Sequence, residues 1–267
     1  MPTLRELQKR LKSAETIKQL AGAMRTAATA KYMKASSRLA AYSAYAEALA
    51  AVRGEEKVSV QDSVDSEKVF LLLSGNHGLC GGYHQELFGF FLGRLKGVGP
   101  FRVITVGKRA RDFCRDKSLP VLKDIPVSDI PSFAEAKELA DLVSSLGVSR
   151  IEVVYQRFEN MLKQFPTEES LVLPSACANK EGEDGEVLFV PDGETVTAEL
   201  GSLMLSANVY RLLLSAAAGV QGATVIAMRS AFDNACGSIR ALETRINRLR
   251  QAAVTAGVLE TSSEIYE

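Results

Sequence analysis

The chain has 267 residues, 46% of them hydrophobic and 24% charged, and a formal net charge of zero, as expected for a soluble globular protein of one large domain or two modest ones. Its four cysteines (Cys80, Cys114, Cys177 and Cys236) are widely spaced, which argues against a disulfide framework or a zinc site and favours reduced thiols. No apolar run approaches the ~20 residues that span a bilayer and the N-terminus lacks the pattern of a leader, so we expect no membrane span and no cleaved peptide.

The first predicted element is one long helix from Met1 to about Arg53. Thr3 and Glu6 have the spacing of a capping box, and the stretch after Pro2 contains no proline. At ~1.5 Å per residue the helix would be roughly 75 Å long, so part of it leaves any compact domain and needs a partner helix. The positions of its heptad ladder are Leu4, Leu7, Leu11, Ala14, Lys18, Ala21, Arg25, Ala28, Tyr32, Ala35, Leu39, Tyr42, Ala46 and Leu49.

Charge is concentrated on this helix. Residues 1–53 contain ten Lys/Arg and three Asp/Glu, a net charge of +7, whereas residues 54–192 carry −6 and residues 193–267 carry −1. The opening helix is therefore a basic rod on a neutral protein, and it suits an acidic partner surface.

The middle of the chain alternates short apolar strands with amphipathic helices. This alternation predicts a mostly parallel sheet that is covered by helices. The predicted strands are Val69–Ser74, Phe101–Val106, Val121–Ile125, Arg150–Tyr155 and Ser170–Leu173, and the predicted helices are Tyr83–Leu95, Lys108–Lys117 and Ser132–Leu146.

A second long helix is predicted from about Thr195 to Thr261, after an acidic, glycine-rich stretch that includes a short strand at Val187–Val190. We expect it to pair with the first helix as an antiparallel coiled coil. The predicted division is a shaft helix at 1–54, an α/β domain at 68–192 and a second shaft helix at 193–267. The apolar positions of this second long helix are Phe232, Ala235, Ile239, Leu242, Ile246, Leu249, Ala253 and Ala256.

The loop after the first strand is the strongest candidate for a ligand site, since open α/β sheets bind ligands at the carboxyl ends of their strands. Its glycines (Gly78, Gly81 and Gly82) do not form the G-x-G-x-x-G pattern, and the lysine of a P-loop is missing. We therefore interpret Gly78–Gly82, including Cys80, as a structural turn rather than a nucleotide site.

Three neighbouring side chains could suggest a nucleophile or a metal site. Cys80 lies near His77 and His84, the two histidines of the chain, but no carboxylate has a convincing spacing. We expect a buried thiol with two surface imidazoles. The basic face of the first helix lacks the interleaved aromatics of a nucleic-acid site and is interpreted as a solvated face unless a partner covers it.

Three stretches together resemble the gamma subunit of the rotary F-type ATP synthase. They are Leu4–Lys31, His77–Tyr83 and Met228–Ala253, they occur in the same order as in that family, and the similarity spans the whole chain. The sequence differs from the usual family pattern in Asn76 and His77, where Asp followed by Arg or Lys is common.

The resemblance implies a function and a set of partners. The two long helices would stand inside a ring of three alpha and three beta subunits, and the sheet domain would lie near the epsilon subunit and the membrane ring. One copy would couple proton or sodium transport to ATP synthesis on the beta subunits. The chain itself would hold no catalytic residue and no cofactor, on the cytoplasmic face of a bacterial plasma membrane as a peripheral protein.

The resemblance also assigns contact residues for the beta subunit. Met24 and Arg25 match the place where the shaft of the family meets an acidic loop of beta. Arg250 and Gln251 match a hydrogen-bonding pair near the top of the shaft.

A second set of residues is assigned to the epsilon subunit and the membrane ring. Lys31 and Lys34 match the lower part of the shaft helix. Phe189, Val190 and Asp192 match the foot of the family.

Two other functions are compatible with the residue pattern. One is a nucleotide-dependent α/β enzyme whose helices form a dimerisation arm, and the other is a coiled-coil adaptor. Nucleotide binding by the isolated chain would favour the first, and a stable complex without alpha and beta would favour the second.

Overall fold

The computed structural model describes residues 3–53, 68–173 and 193–264 of the chain. These residues divide into two compact units, the first formed by Met1–Ala27 with Val225–Glu267 and the second by Ala28–Thr224. Helix α1 (Leu4–Arg53) and helix α5 (Gly193–Glu264) each contribute to both units. The short strand predicted at Val187–Val190 lies outside the described residues.

The described part of the second unit contains a five-stranded sheet. Its strands are β1 (Lys68–Leu73), β2 (Phe101–Val106), β3 (Val121–Ile125), β4 (Arg150–Phe158) and β5 (Gln164–Val172). The strand order is β3-β2-β1-β4-β5, with β5 antiparallel to β4 and the other pairs parallel. The helices between the strands are α2 (Tyr83–Leu95), α3 (Lys108–Asp116) and α4 (Phe133–Ser144).

Strand β1 lies in the middle of the described sheet, and both of its faces are covered. Val69, Leu71 and Leu73 point into a core with α4 and the first half of α5, while Phe70 and Leu72 point into a second core with α2 and α3. This alternation within an unbroken apolar run is the pattern of a strand that is buried on both faces. The predicted fold class, long terminal helices with a mostly parallel α/β sheet, is confirmed.

Strand β5 is longer than the sequence pattern predicted. The prediction began at Ser170, but pairing with β4 extends from Arg150 opposite Val172 to Phe158 opposite Gln164. Residues 164–169 include Pro166 and two glutamates, which are rare in strands. They fit here because β5 lies at the edge of the described sheet, where Glu169 accepts a hydrogen bond from Tyr155 and forms an ion pair with Arg211.

Helix α5 is more apolar than the lack of a long uninterrupted apolar run in the sequence suggested. A window within Glu199–Leu259 has a mean hydropathy of 1.4, apolar enough in length and composition to span a membrane. However, 72% of this window is buried inside the protein. Its apolar residues therefore pack in a protein core, as Leu212 and Leu214 do, each 0% exposed.

Candidate functional site

The carboxyl ends of β1 and β2 are closed by the chain itself. Gly75 follows β1 so tightly against helix α5 that a Cβ atom added to it would lie 2.9 Å from Val220 Cγ1. Gly107 follows β2 with φ +89°, and an added Cβ would lie 2.3 Å from the carbonyl oxygen of Ser74. Two glycines therefore allow the strand ends and α5 to approach where an α/β enzyme would hold its ligand.

A small cavity remains beneath this closure. Its volume is about 30 Å³, and its lining includes Ser74, Asn76, Asp129 and Gln221. Nucleotide and cofactor pockets typically measure ~300–1,000 Å³, so this cavity has room for water molecules rather than for a nucleotide.

The turn that begins at Gly78 contains two residues in the left-handed region. Gly81 has φ +61°, which glycine adopts without strain, and Leu79 has φ +64°. Leu79 is exposed, whereas the neighbouring Cys80 is buried against Tyr83 and Val220. Gly78 and Gly82 have no positive φ, so within this turn Gly81 is the position where the backbone favours glycine.

The two histidines near Cys80 differ in their surroundings. His77 is exposed, as expected, but His84 is only 6% exposed, so the expectation of two surface imidazoles is wrong. His84 stacks on Phe88, and its Nε2 lies 3.0 Å from the carbonyl oxygen of His77. His84 is buried because it lies in the first turn of α2, on the face of the helix that packs against the rest of the protein. The sequence pattern did not reveal this.

Burial sets the protonation of these groups. It raises the pKa of the Cys80 thiol despite opposing hydrogen bonds and the nearby charge of Arg109. Burial also lowers the pKa of His84 from its ordinary value of 6.5. A neutral thiol beside a neutral imidazole is a poor nucleophile, and both residues act here as packing groups.

The first unit contains a pair of helix segments whose contact is centred on Phe232. The Nζ atom of Lys18 lies 5.6 Å from the centre of the Phe232 ring, and the guanidinium carbon of Arg25 lies 5.1 Å from it. The two polar residues of the heptad ladder therefore face the partner helix through cation–π contacts. Gly22 lies beside the ring, and a Cβ added to it would be 3.6 Å from the ring edge, an ordinary van der Waals contact.

The ladder of α1 is buried at one of its two heptad positions. Every seventh residue from Leu7 is at most 9% exposed: Leu7, Ala14, Ala21, Ala28 and Ala35. On α5 the corresponding burial in the first unit ends with Ile246, and residues 250–259 are exposed. The predicted apolar positions Ala253 and Ala256 are therefore exposed in the described part of the chain.

In the second unit, the same two helices contact each other in antiparallel order. An added Cβ at Gly222 would lie 3.5 Å from the Tyr32 ring, and ten residues further along α1 the Tyr42 ring meets Tyr210 at 4.8 Å. The residue number rises on α1 as it falls on α5, which is the order of an antiparallel pair.

The residues predicted to contact the beta subunit lie in the first unit. Met24 and Arg25 are half-buried on α1, and Arg25 faces Phe232 as described above. Arg250 and Gln251 are exposed on α5, beyond the last buried residue of that segment.

Of the residues predicted to contact epsilon or the membrane ring, two are described. Lys34 is exposed, and Lys31 forms an ion pair with Asp129 at 2.6 Å. Phe189, Val190 and Asp192 lie outside the described residues.

Asp129 is the functional candidate that the sequence analysis missed. One carboxylate oxygen accepts from Lys31 Nζ, and the other is 3.3 Å from the amide nitrogen of Asn76. Burial raises the pKa of Asp129, but the hydrogen bonds from Lys31 and Asn76 outweigh this effect, and the pKa is lowered overall. Asp129 is 98 positions from Lys31 and 53 from Asn76, so the topology of the sheet, not residue spacing, brings them together.

Two long terminal helices that pack in antiparallel order, and a Rossmann-like sheet whose strand ends are closed by α5, define the class of this protein. Comparison with known sequences identifies the family. The family model described as "ATP synthase" matches residues 3–263. The ATP synthase gamma chain of Moorella thermoacetica is 32% identical over 72% of this chain and 70% of its own length. That of Roseobacter denitrificans is 30% identical over 98% of both chains. This chain belongs to the ATP synthase gamma chain family.

Solved structures agree with the fold. A chain in the Euglena gracilis mitochondrial ATP synthase structure of OSCP, F1 and c-ring superimposes with a TM-score of 0.70 at 15% identity, covering 98% of this chain and 93% of its own. A chain of the Tetrahymena thermophila central stalk and c-ring gives a TM-score of 0.64 at 20% identity, covering 79% and 99%. Family membership confirms the resemblance and the prediction of a non-catalytic ATP synthase subunit.

Proposed function

We propose that this chain is the central rotor shaft of an F-type ATP synthase, coupling ion transport through a membrane ring to ATP synthesis and hydrolysis on beta subunits. The observation that carries the proposal is the antiparallel packing of α1 and α5 in a member of the gamma chain family. In this assignment residues 1–54 and 193–267 form the shaft, and residues 68–192 form the sheet domain.

The shaft has the asymmetry that such a coupling requires. Within the first unit, residues 3–27 hold six Lys/Arg and two Asp/Glu, a net +4, whereas residues 225–264 hold five and four, a net +1. Three identical acidic surfaces around this pair would meet different charges in any one orientation. Each orientation then favours one conformation of each site, and rotation exchanges the conformations among the three sites.

The proposed contacts follow from exposure and charge. Arg250 and Gln251 are exposed near the end of α5 and can donate hydrogen bonds to a beta loop. Met24 and Arg25 would meet an acidic beta loop, with Arg25 shared between that loop and Phe232.

Contacts with the epsilon subunit and the membrane ring would come from the second unit and the foot. Lys34 is exposed and available. Lys31 keeps 41% of its side chain exposed in the ion pair with Asp129, so it can meet a partner without leaving Asp129. The proposed contacts of Phe189, Val190 and Asp192 rest on the family resemblance.

The family places the chain in a membrane-associated complex. Since the curated relatives named above are bacterial, we propose the finer location as the cytoplasmic face of a bacterial plasma membrane, with the chain as a peripheral protein.

Co-expression with the alpha and beta subunits of the same source tests the proposal. The chain should purify with both, one copy to three of each, and the complex should hydrolyse ATP. The isolated chain should neither bind nor hydrolyse nucleotide in a calorimetric titration. A chain that elutes without alpha and beta, or that binds nucleotide alone at micromolar concentration, would overturn the proposal.

The contact at the top of the shaft has its own test. Replacing both Arg250 and Gln251 by alanine should reduce ATP synthesis by the membrane-bound complex without unfolding the chain, because both side chains are exposed. The control is Arg240→Ala, which removes one exposed arginine of the same helix. Unchanged synthesis in the double variant would count against this contact.

A further inference from the structure

Helix α1 is tied to the sheet domain by a charged contact within the second unit. Lys31 Nζ lies 2.6 Å from Asp129 Oδ2, and the Asp129 side chain is only 20% exposed. A charged hydrogen bond at this distance is directional, and partial burial shields it from solvent screening. It therefore resists displacement of α1 along or around its own axis.

A second tie lies one heptad further along the same helix. Arg38 Nη1 donates a hydrogen bond to the carbonyl oxygen of Pro131 at 3.3 Å. Because residues seven apart lie on one face of a helix, Lys31 and Arg38 hold the same face. Both acceptors belong to residues 126–132, the connection between β3 and α4.

That connection is itself fastened to the sheet by one side chain, Asn76. Its Nδ2 donates to the carbonyl oxygen of Val127 at 2.6 Å and lies 3.3 Å from Asp129 Oδ1. Its Oδ1 accepts from the backbone N–H of Lys108 at the start of α3. Asp129 thus holds α1 with one oxygen and the end of β1 with the other, while His77 Nε2 lies 3.4 Å from Oδ2.

Helix α1 also makes apolar contacts here. Ala28 and Ala35 are buried, and Leu39 and Tyr42 pack against the core of the sheet. Apolar burial is non-directional, and small alanine side chains offer little resistance to a helix that turns about its axis. The polar contacts at Asp129 and Pro131 add directional contacts to this packing, and together with the ring of Tyr42 they set the rotational position of α1 against the sheet.

We propose that Asp129 is a positioning residue that fixes α1 to the sheet domain and so passes torque between that domain and the shaft. The inference rests on the proposed rotor function. Helix α1 is continuous from Leu4 to Arg53, so a turning force applied to residues 28–53 is carried into the shaft segment. Without the clamp, part of the rotation of the sheet domain is lost as slippage or twist at this contact.

The test compares loaded and unloaded function of the complete complex. Asp129→Asn keeps an acceptor for Asn76 but removes the charge, and Lys31→Met removes the partner charge. The exchange of both residues, Lys31→Asp with Asp129→Lys, restores an ion pair of opposite orientation. Asp116→Asn, an exposed carboxylate of α3, is the matched control.

Each variant is measured for ATP hydrolysis by its soluble complex with alpha and beta, and for ions pumped per ATP by the membrane-bound complex. Both single variants should lower the pumping ratio, because a rotation that slips at this contact consumes ATP without moving ions, while hydrolysis by the soluble complex should be unchanged. The exchange should restore part of the ratio, since it restores the ion pair but not the contact of residue 129 with Asn76, and the control should match the wild type.

Three results would overturn the inference. One is an unchanged pumping ratio in both single variants. Another is an equal loss of hydrolysis and pumping together with a lower unfolding temperature of the chain, which would make Asp129 merely structural. The wild-type complex is measured first: if it does not hydrolyse ATP or pump ions, the proposed function fails and the role of the clamp fails with it.

Discussion

Gly107→Ala is the substitution for which the structure predicts the largest loss of stability. Gly107 has φ +89° and ψ +149°, a conformation that other residues adopt at a cost of about 1–3 kcal/mol. The added Cβ would also lie 2.3 Å from Ser74 O, and real Cβ contacts stay above 3.0 Å. Ser74 cannot simply retreat, because its N–H donates to Val106 O and its hydroxyl accepts from the Ala110 N–H.

These contributions together predict a loss of about 3–5 kcal/mol in the free energy of unfolding. Since a domain is typically stable by about 5–15 kcal/mol, the variant should fold but unfold at a much lower urea concentration. The chain contains no tryptophan, so near-UV circular dichroism of the buried Tyr83 and Tyr155 follows the sheet. The control is Gly237→Ala, where an added Cβ meets nothing within 4 Å. A loss below about 1 kcal/mol at Gly107 would refute the close approach of the two strand ends.

Three further predictions concern the helix pair and the buried histidine. Phe232→Leu keeps an apolar side chain but removes the ring beneath Lys18 and Arg25. It should lower the free energy of unfolding by about 1–2 kcal/mol and speed the hydrogen exchange of the α1 amides. Unchanged exchange would contradict the cation–π contacts. Gly22→Ala should raise the free energy of unfolding by up to about 1 kcal/mol, because alanine favours a helix interior and its Cβ would lie at an ordinary 3.6 Å from the Phe232 ring. A lower free energy of unfolding in urea would show that the ring is closer than this. Folding lowers the pKa of His84, so the unfolded chain binds more protons than the folded chain just below the ordinary pKa of 6.5. The free energy of unfolding should therefore fall as the pH drops below 6.5, and His84→Phe should flatten that part of a plot of urea midpoint against pH. An equally steep plot for the variant would disprove the assignment.

The closure of the strand ends explains how a nucleotide-binding type of sheet serves a mechanical protein. In an enzyme of this topology the carboxyl ends of the strands hold a ligand. Here α5 occupies that position, with Val220 against Gly75 and the carbonyl oxygen of Ala216 accepting from the Tyr83 hydroxyl. The crevice thus becomes an anchoring site for the helix that continues into the shaft.

The repeating parts of the fold could be predicted from the sequence. Strands Phe101–Val106 and Val121–Ile125 and helix Tyr83–Leu95 were predicted with the bounds that the structure gives them. The first half of β5 could not, because Pro166 and its neighbouring glutamates are acceptable only on an edge strand that is paired with β4. Edge position is a property of the sheet and is not encoded in local periodicity.

The candidate site was less predictable for the same reason. The contact of Lys31 with Asp129 joins residues 98 positions apart, and it depends on β3 lying beside β2 in the sheet. His84 was taken for a surface residue because periodicity alone does not fix which face of a 13-residue helix begins the core. The heptad ladder, in contrast, predicted the buried face of α1. Within that ladder, Leu7 and the alanines at every seventh position from it to Ala35 are the buried residues among those described.

Rotation of the chain during ATP hydrolysis tests the central claim most directly. A probe attached at Leu162→Cys, which is 86% exposed as leucine, would be followed in single complexes with alpha and beta fixed to a surface. Cys177 and Cys236 are replaced by serine, since the other two cysteines are buried. We expect the probe to turn in one direction when ATP is present, with three equal steps per revolution. Continuous ATP hydrolysis while the probe stays at one angle would contradict it.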